Sequence, residues 1–399
     1  MREGWKEYKL GELLEIKYGK DHKKLKDGIY PLYGSGGIMR YVEKYIYNEE
    51  SILIPRKGTL SNLFYLKCPF STVDTMFWTK IKKEIVSPQF LFYMLKTFDL
   101  ASLNVGAAVP SLTTQILNEV LVQISESKET QRKIASILSS YDDLIENNLK
   151  RIKLLEEKAQ RTYEEWFVKM RFPGYETAVF DEVTGLPEGW EKKLLSEISD
   201  FQNGYAFYTK GYSDNGYAVI DLGNISEYGD LNITGKEKFI SEELYRGLPK
   251  FHLKKYDIVI AMTDVTSALR ILAKSAIIDK NDTYALNQRV GMLRPKTDLF
   301  DYSFLYALLG DPRFIERMKA MSKGAVQFYF NTKDIINYET FVPTKKIIDE
   351  FVFIYKPLLE LRMKLKEQNQ LLKEARDILL PRLMSGMIDV EEMEITVMD

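Results

Sequence analysis

The hydrophobic pattern of this chain is dominated by two long stretches in which apolar or small side chains return at alternating steps of four and three. The first runs through Ile134, Leu138, Tyr141, Ile145, Ile152, Leu155, Ala159 and Trp166, with Asn148 and Thr162 at the intervening steps. The second runs through Phe351, Ile354, Leu358, Leu361, Leu365, Leu372, Ala375 and Leu379, with Gln368 where the first carries Asn148. A mean step of about 3.5 residues keeps one face of a helix against a partner helix, so both stretches predict coiled-coil seams. Each is preceded by a segment of different rhythm. Short apolar runs at Ser51 to Pro55, Leu63 to Leu66, Tyr217 to Leu222 and Asp257 to Met262 predict strands separated by glycine-bearing turns, and Pro88 to Leu103 and Phe300 to Met321 carry helical periodicity. The pattern predicts globule, helix, globule, helix, with α+β globules.

The two halves also resemble each other. Gly4-Trp5 followed by Leu10, Glu12, Leu13 and Gly19 matches Gly189-Trp190 followed by Leu195, Glu197, Ile198 and Gly204 at a constant offset of 185. The offset then grows to 206 at Ile52-Leu53-Ile54 and Ile258-Val259-Ile260, to 214 at Phe90-Leu91-Phe92 and Phe304-Leu305-Tyr306, to 218 at Gly106-Ala107 and Gly324-Ala325, and to 220 at the seams. An offset that only grows is the mark of a duplication with loop insertions in the second copy. It sets the expected boundaries: a first globule over 1–125, a helix over 126–170, a linker over 171–188 rich in proline and glycine, a second globule over 189–345, and a second helix with an acidic tail over 346–399. Pro381 is placed to kink or end that last helix.

Composition narrows the class. At 399 residues, 45% hydrophobic and 28% charged, the chain is globular and too long for one core. One cysteine, Cys68, excludes an intrachain disulfide and any multi-cysteine metal site, and no run approaches the roughly 18 apolar residues of a membrane span, so the expectation is a soluble, cytoplasmic protein. A net charge of -1 gives no general affinity for nucleic acid, although the first 125 residues carry 17 Lys+Arg against 13 Asp+Glu.

Catalytic constellations are missing from the pattern. His22 and His252 are the only histidines, Gly34 to Gly37 has turn spacing and not that of a phosphate loop, no Asn or Asp precedes Pro-Pro-Tyr or Pro-Pro-Phe, and Glu126-Ser127-Lys128 reads as a helix start. No metal site is expected. What remains suits recognition. The run Lys17 to Lys26 puts five lysines and Tyr18 on a loop, with Lys20, Lys23 and Lys24 suited to phosphate or simply to solvent. After the strand Ile52 to Pro55, Arg56, Lys57, Thr59 and Asn62 cluster where the chain turns. Thr263, Thr266, Ser267 and Arg270 occupy the equivalent place in the second copy, with Asn287, Gln288 and Arg289 about twenty residues on, opposite Asp74-Thr75 of the first. Arg, Asn and Gln can bond guanine and adenine edges in the major groove, so two like scaffolds with unlike polar loops would read two different sequences.

With these residues in view the chain resembles the specificity subunit of type I restriction-modification systems. Leu186-Pro187-Glu188-Gly189-Trp190, Ile54-Pro55-Arg56-Lys57-Gly58, Ala285-Leu286-Asn287-Gln288-Arg289 and Glu129-Thr130-Gln131-Arg132-Lys133-Ile134-Ala135 carry the resemblance, which spans essentially the whole chain. The second helix departs from it, opening Lys346-Ile347-Ile348-Asp349-Glu350, and Met262-Thr263-Asp264 stands where the first copy has Arg56-Lys57-Gly58. The resemblance implies a non-catalytic reader of double-stranded DNA. Two target-recognition domains would each take half of a bipartite site, separated by two long helices that form an intrachain antiparallel, pseudo-twofold coiled coil. It also implies partners: two methyltransferase subunits docked on the helices and, through them, ATP-dependent restriction subunits. S-adenosylmethionine and ATP would bind those partners and not this chain. A recognition subunit of another restriction-modification type, and a coiled-coil scaffold that binds no DNA, are the alternative readings.

Ile134 to Trp166 spans 33 residues, about 50 Å of helix, against about 34 Å for a duplex turn, so helix length is expected to set half-site spacing at about one to one and a half turns. Asn148 and Gln368 interrupt the seams. Either they sit exposed at a seam edge, or they meet across the pair and fix its register. Ile137, Leu144 and Trp166 on the first helix and Leu380 and Leu383 on the second are the apolar positions expected to bind partner subunits.

Overall fold

The computed structural model describes all residues except 1–3, 104–110, 234, 236–237, 297–299, 325–326, 392 and 394–399. The repeat match at Gly106-Ala107 and Ala325, and most of the acidic tail, therefore fall outside the described residues. The chain forms two compact units, one of residues 1–150 with 365–399 and the other of residues 151–364. The division falls inside both long helices.

The first unit contains strands β1 (Trp5–Lys9), β2 (Leu14–Tyr18), β3 (Asp27–Gly34), β4 (Gly37–Val42), β5 (Ser51–Pro55), β6 (Phe64–Leu66), β7 (Ser71–Thr72), β8 (Met76–Ile81) and β9 (Leu121–Ser125). They build an antiparallel sheet β2-β8-β5-β6, a mixed sheet β4-β3-β7 in which β3 and β7 run parallel, and the pair β1-β9. β5 is buried along its whole length. Its alternate residues feed opposite faces: Ile52 and Ile54 join the core shared with the helices, and Leu53 joins a second core with Leu32, Phe70 and Trp78. Two-sided burial is why β5 reads as an unbroken apolar run.

The second unit repeats this plan. Its strands are β10 (Glu191–Leu194), β11 (Ser199–Asn203), β12 (Tyr212–Ser213), β13 (Tyr217–Ile220), β14 (Phe239–Ile240), β15 (Ile258–Ala261), β16 (Thr263–Asp264), β17 (Ser275–Ile277), β18 (Tyr284–Leu286), β19 (Val290–Pro295), β20 (Phe328–Tyr329) and β21 (Glu339–Val342). The sheet β11-β19-β15-β17 matches β2-β8-β5-β6 strand for strand, β10-β21 matches β1-β9, and the parallel pair β13-β18 matches β3-β7. β15 divides its side chains as β5 does, with Ile258 and Ile260 in one core and Val259 and Ala261 in the other. The growth in offset has a visible source: β3 and β4 are joined by a tight turn at Gly34 to Gly37, whereas residues 221–238 separate β13 from β14.

Several element boundaries move. The helix expected to reach Leu103 is Pro88–Lys96. Phe300 to Met321 is two helices, Tyr302–Leu309 and Pro312–Ala320. Asp311 caps the second through the Arg313 amide, and Pro312 at its first turn cannot continue the helix before it. The linker carries the 3-10 turn Tyr175–Thr177, and Phe172 and Leu186 from it are buried in the core of the second unit.

The long helices are Lys128–Tyr163, extended by a π-helical turn at Glu164–Val168, and Lys345–Met384. The latter runs through Pro381, which occupies its last turn. Within the first unit the segments touch at Asn148 with Asn369 and at Asp142 with Arg376; within the second they touch at Glu156 with Arg362 and at Trp166 with Phe351. One number rises as the other falls, so the pair is antiparallel.

The second seam is corrected by one residue through its middle. Ile354 and Leu361 are 37% exposed and Gln368 is exposed, while Tyr355, Leu359, Arg362, Leu365 and Asn369 are buried. Leu358, Leu372 and Leu379 are half-buried. Arg362, Asn369 and Arg376 stand one heptad apart on the inner face, so a hydrophobic reading slides onto the neighbouring leucines. On the first helix Ile134, Leu138, Ile145 and Ile152 are buried, and Tyr141 and Leu155 half-buried. Two of the expected docking positions are also corrected. Trp166 and Leu383 are 8% and 1% exposed, packed into the cores of their own units, and Ile137 and Leu380 pack partly against the first core. Leu144 remains exposed, together with Leu149, Leu154, Leu371 and Ile378.

Candidate nucleic-acid interface

The candidate residues sit on loops at one end of each sheet, except Thr263, which lies in β16. In the first unit β2 ends at Tyr18 and β5 at Pro55, opposite Phe77 and Met76 at the start of β8. Gly19 then passes so close to the β7–β8 loop that a Cβ on it would lie 2.0 Å from the Val73 carbonyl oxygen. Only a hydrogen fits there. The Lys20 amide donates to the Thr72 carbonyl at 3.1 Å, the Arg56 amide to Thr75 at 2.9 Å, and the Leu112 amide to Arg56 at 3.0 Å.

The second unit repeats these bonds with other side chains. A Cβ on Gly204 would lie 1.9 Å from the Asn287 carbonyl oxygen. The Tyr205 amide donates to Leu286 at 2.9 Å, the Met262 amide to Arg289 at 3.1 Å, and the Phe330 amide to Met262 at 3.3 Å. Asn287 to Arg289 therefore take the place of Val73 to Thr75. Gly19 and Gly204 were legible as repeat positions, but their role in closing two loops together depends on contacts between distant segments.

On this common frame the side chains divide into two groups. Lys20, Lys57, Thr59, Ser267, Arg270, Gln288 and Arg289 are exposed. Arg56 lies over the Tyr18 ring at 5.4 Å, an exposed aromatic beside a cation. Thr266 is exposed too, but its hydroxyl, like the side chains of Asn62 and Asn287, bonds within the protein. Asn62 donates its amide to the Ser35 carbonyl at 2.9 Å, tying the loop after β5 to the β3–β4 turn. Thr263 has its hydroxyl buried, and the Thr266 hydroxyl donates to Asp264 at 2.8 Å. Asn287 is buried and accepts from the Arg289 amide. Asp264, itself buried, also accepts from the Thr266 and Ile271 amides at 2.8 and 2.9 Å. Burial alone would raise its carboxyl, but these donors prevail and hold it below the usual carboxylate range.

Lys23 and Lys24 are exposed on a neighbouring loop. That loop is strapped by Arg40, which donates to the carbonyls of His22 and Leu25 at 2.9 Å and to Asp27 at 3.0 Å. Nothing in the sequence marks Arg40, because a strand arginine has no local signature of a strap. The turn hairpin β3–β4 also shows Ile38, Met39 and Tyr41 to solvent, and Tyr208 and Tyr329 are exposed beside the second frame.

Among the described residues no group of three or more His, Cys, Asp or Glu could hold a metal ion, and no helix is long and apolar enough to cross a membrane.

A duplicated α+β recognition unit on an antiparallel helix pair, with matched loop frames that present unlike polar side chains, defines a two-part reader. The chain belongs to the type I restriction modification DNA specificity domain family, whose model matches residues 2–157 and 187–372. It is 26% identical over 410 residues to the type I restriction enzyme MjaVIII specificity subunit of Methanocaldococcus jannaschii, covering 98% of this chain and 94% of that one. It is 25% identical over 363 residues to the HindI specificity subunit of Haemophilus influenzae, covering 76% and 78%. The crystal structure of a type I restriction-modification S subunit from M. genitalium has the same fold, with a TM-score of 0.68 over 95% of this chain and 96% of that one at 16% identity.

Proposed function

We propose that this chain is the DNA-reading subunit of a type I restriction-modification complex, each loop frame reading one half of a bipartite duplex site. The observation that carries this is the repeated closure at Gly19 and Gly204. It builds the same frame twice and fills it with Lys20, Arg56 and Lys57 in one copy and with Arg270, Gln288 and Arg289 in the other. Cations on such loops suit phosphate contact and the planar guanidinium and amide groups suit base edges. Methyl transfer, with S-adenosylmethionine, belongs to two methyltransferase subunits docked on the helices, and ATP-driven restriction to further subunits. The exposed apolar residues Leu144, Leu149 and Leu154 of the first helix suit such docking. The test is selection of random duplexes by the full chain assembled with methyltransferase. One bipartite sequence is expected. Arg56→Ala with Lys57→Ala should alter one half and Arg289→Ala the other; no bipartite enrichment, or both halves changing together, refutes the reading.

A further inference from the structure

In each unit one residue of the recognition domain joins a charged pair that links the two helices. In the first, the Tyr93 hydroxyl on Pro88–Lys96 donates to Asp142 Oδ2 at 2.7 Å, and Arg376 of the last helix bonds Oδ1 of the same carboxylate. In the second, Arg362 of the last helix donates to Glu156 at 2.5 Å and also bonds Asp230, a residue of the segment inserted between β13 and β14. Tyr306 supports that segment by donating to the Gly229 carbonyl at 2.8 Å. Arg362 is 8% exposed, and Tyr93 is 2% exposed. Burial and the adjoining Asp142 push the Tyr93 hydroxyl well above its usual range, so it stays protonated and donating.

Each junction is a second attachment point. Gln131, fully buried, already ties the first domain to the start of its helix by bonds to the Ser125 and Ile85 carbonyls and the Ser87 amide. Asp142 lies eleven residues further on, about 16 Å along the axis. In the second unit Phe351 packs on Phe304 with ring centroids 6.2 Å apart, and Arg362 is again eleven residues away. A domain held at one point on a helix can swing; one held at two points about 16 Å apart cannot.

From this the geometry points to Tyr93 and Asp230 as positioning residues that fix the angle of each recognition domain on its own helix segment, and so the spacer length accepted in the DNA. The inference rests on the DNA-reading function proposed above. One base pair shifts and turns a half-site by about 3.4 Å and 35°, a change that a domain locked at both points resists.

Tyr93→Phe and Asp230→Ala remove the domain's bond and leave the Asp142–Arg376 and Glu156–Arg362 pairs in place, so helix pairing is retained. Full chain with methyltransferase is given duplexes carrying the parent's half-sites at spacers from two base pairs shorter to two longer. Preference for the parental spacer is expected to fall about tenfold in the double variant, the scale of one charge-assisted hydrogen bond, with both half-site sequences unchanged. An unchanged spacer preference overturns the inference. A DNA-free measurement separates this outcome from failure of the reading function: spin labels on exposed Cys68 and on Leu149→Cys, both in the first unit, should give a broader distance distribution in Tyr93→Phe. An unchanged width overturns the inference even if the parent selects no bipartite site.

Discussion

Asn148 and Asn369 offer the sharpest test of how the helix pair is held. Both are buried, at 6% and 5% exposure, and the Asn148 amide donates to the Asn369 side-chain oxygen at 3.0 Å. The Asn369 amide also donates to the Ile145 carbonyl, but at 3.5 Å, the limit of a useful hydrogen bond. Asn148→Leu therefore strands a buried acceptor. Such a loss costs about 1–3 kcal/mol, a roughly five- to 150-fold rise in local opening. Asn148→Leu with Asn369→Leu removes both polar groups and adds apolar contact, so its stability should return to the parent's or exceed it. What the double variant gives up is register, since two leucines do not insist on facing each other. Hydrogen exchange of fragments covering residues 141–152 and 366–376 in the full chain measures this: fast exchange in each single variant, slow in the double. Equal acceleration in single and double variants would refute the coupling, and no change in Asn148→Leu would show that the bond contributes nothing.

Three further outcomes follow from the sites. Gly19→Ala puts a methyl group 2.0 Å from the Val73 carbonyl oxygen, so the frame must open; recognition of one half-site should fall at least about tenfold while the other is kept, read by selection on each half separately, and loss of neither half contradicts the frame. Gln131→Leu should destabilise the first unit by at least about 2 kcal/mol, because the Ser87 amide and two carbonyls lose their partner, seen as a lower denaturation midpoint for probes in that unit. Asp264 has its carboxyl held low in the folded state, so its contribution is full above the ordinary carboxylate range near about 4 and is lost as pH falls through the lower folded value. Asp264→Asn should flatten the acid side of the thermal-midpoint profile of the second unit; a profile as steep as the parent's excludes Asp264 as its cause.

Sequence alone determined a good deal. Heptad rhythm is local to a helix, so the two long helices were legible, and the unbroken apolar run at Ile52 to Ile54 announced a buried strand. The duplication was legible because the positions that close each frame, Gly19 and Gly204 among them, cannot change without a clash. Tertiary structure decided what depends on partners distant in the chain. It moved the second seam onto Arg362, Asn369 and Arg376, which the pattern could not find because a polar or charged side chain joins a seam only when Asn148, Glu156, Asp142 or Asp230 is there to meet it. It separated Lys57 and Arg289, open to solvent, from Asn62, whose amide ties two loops together, and Asn287, which is buried, although all four carry groups able to bond a base. It also showed Trp166 and Leu383 to be core residues. An apolar side chain announces that it will be covered, but only the fold decides whether the cover comes from its own unit.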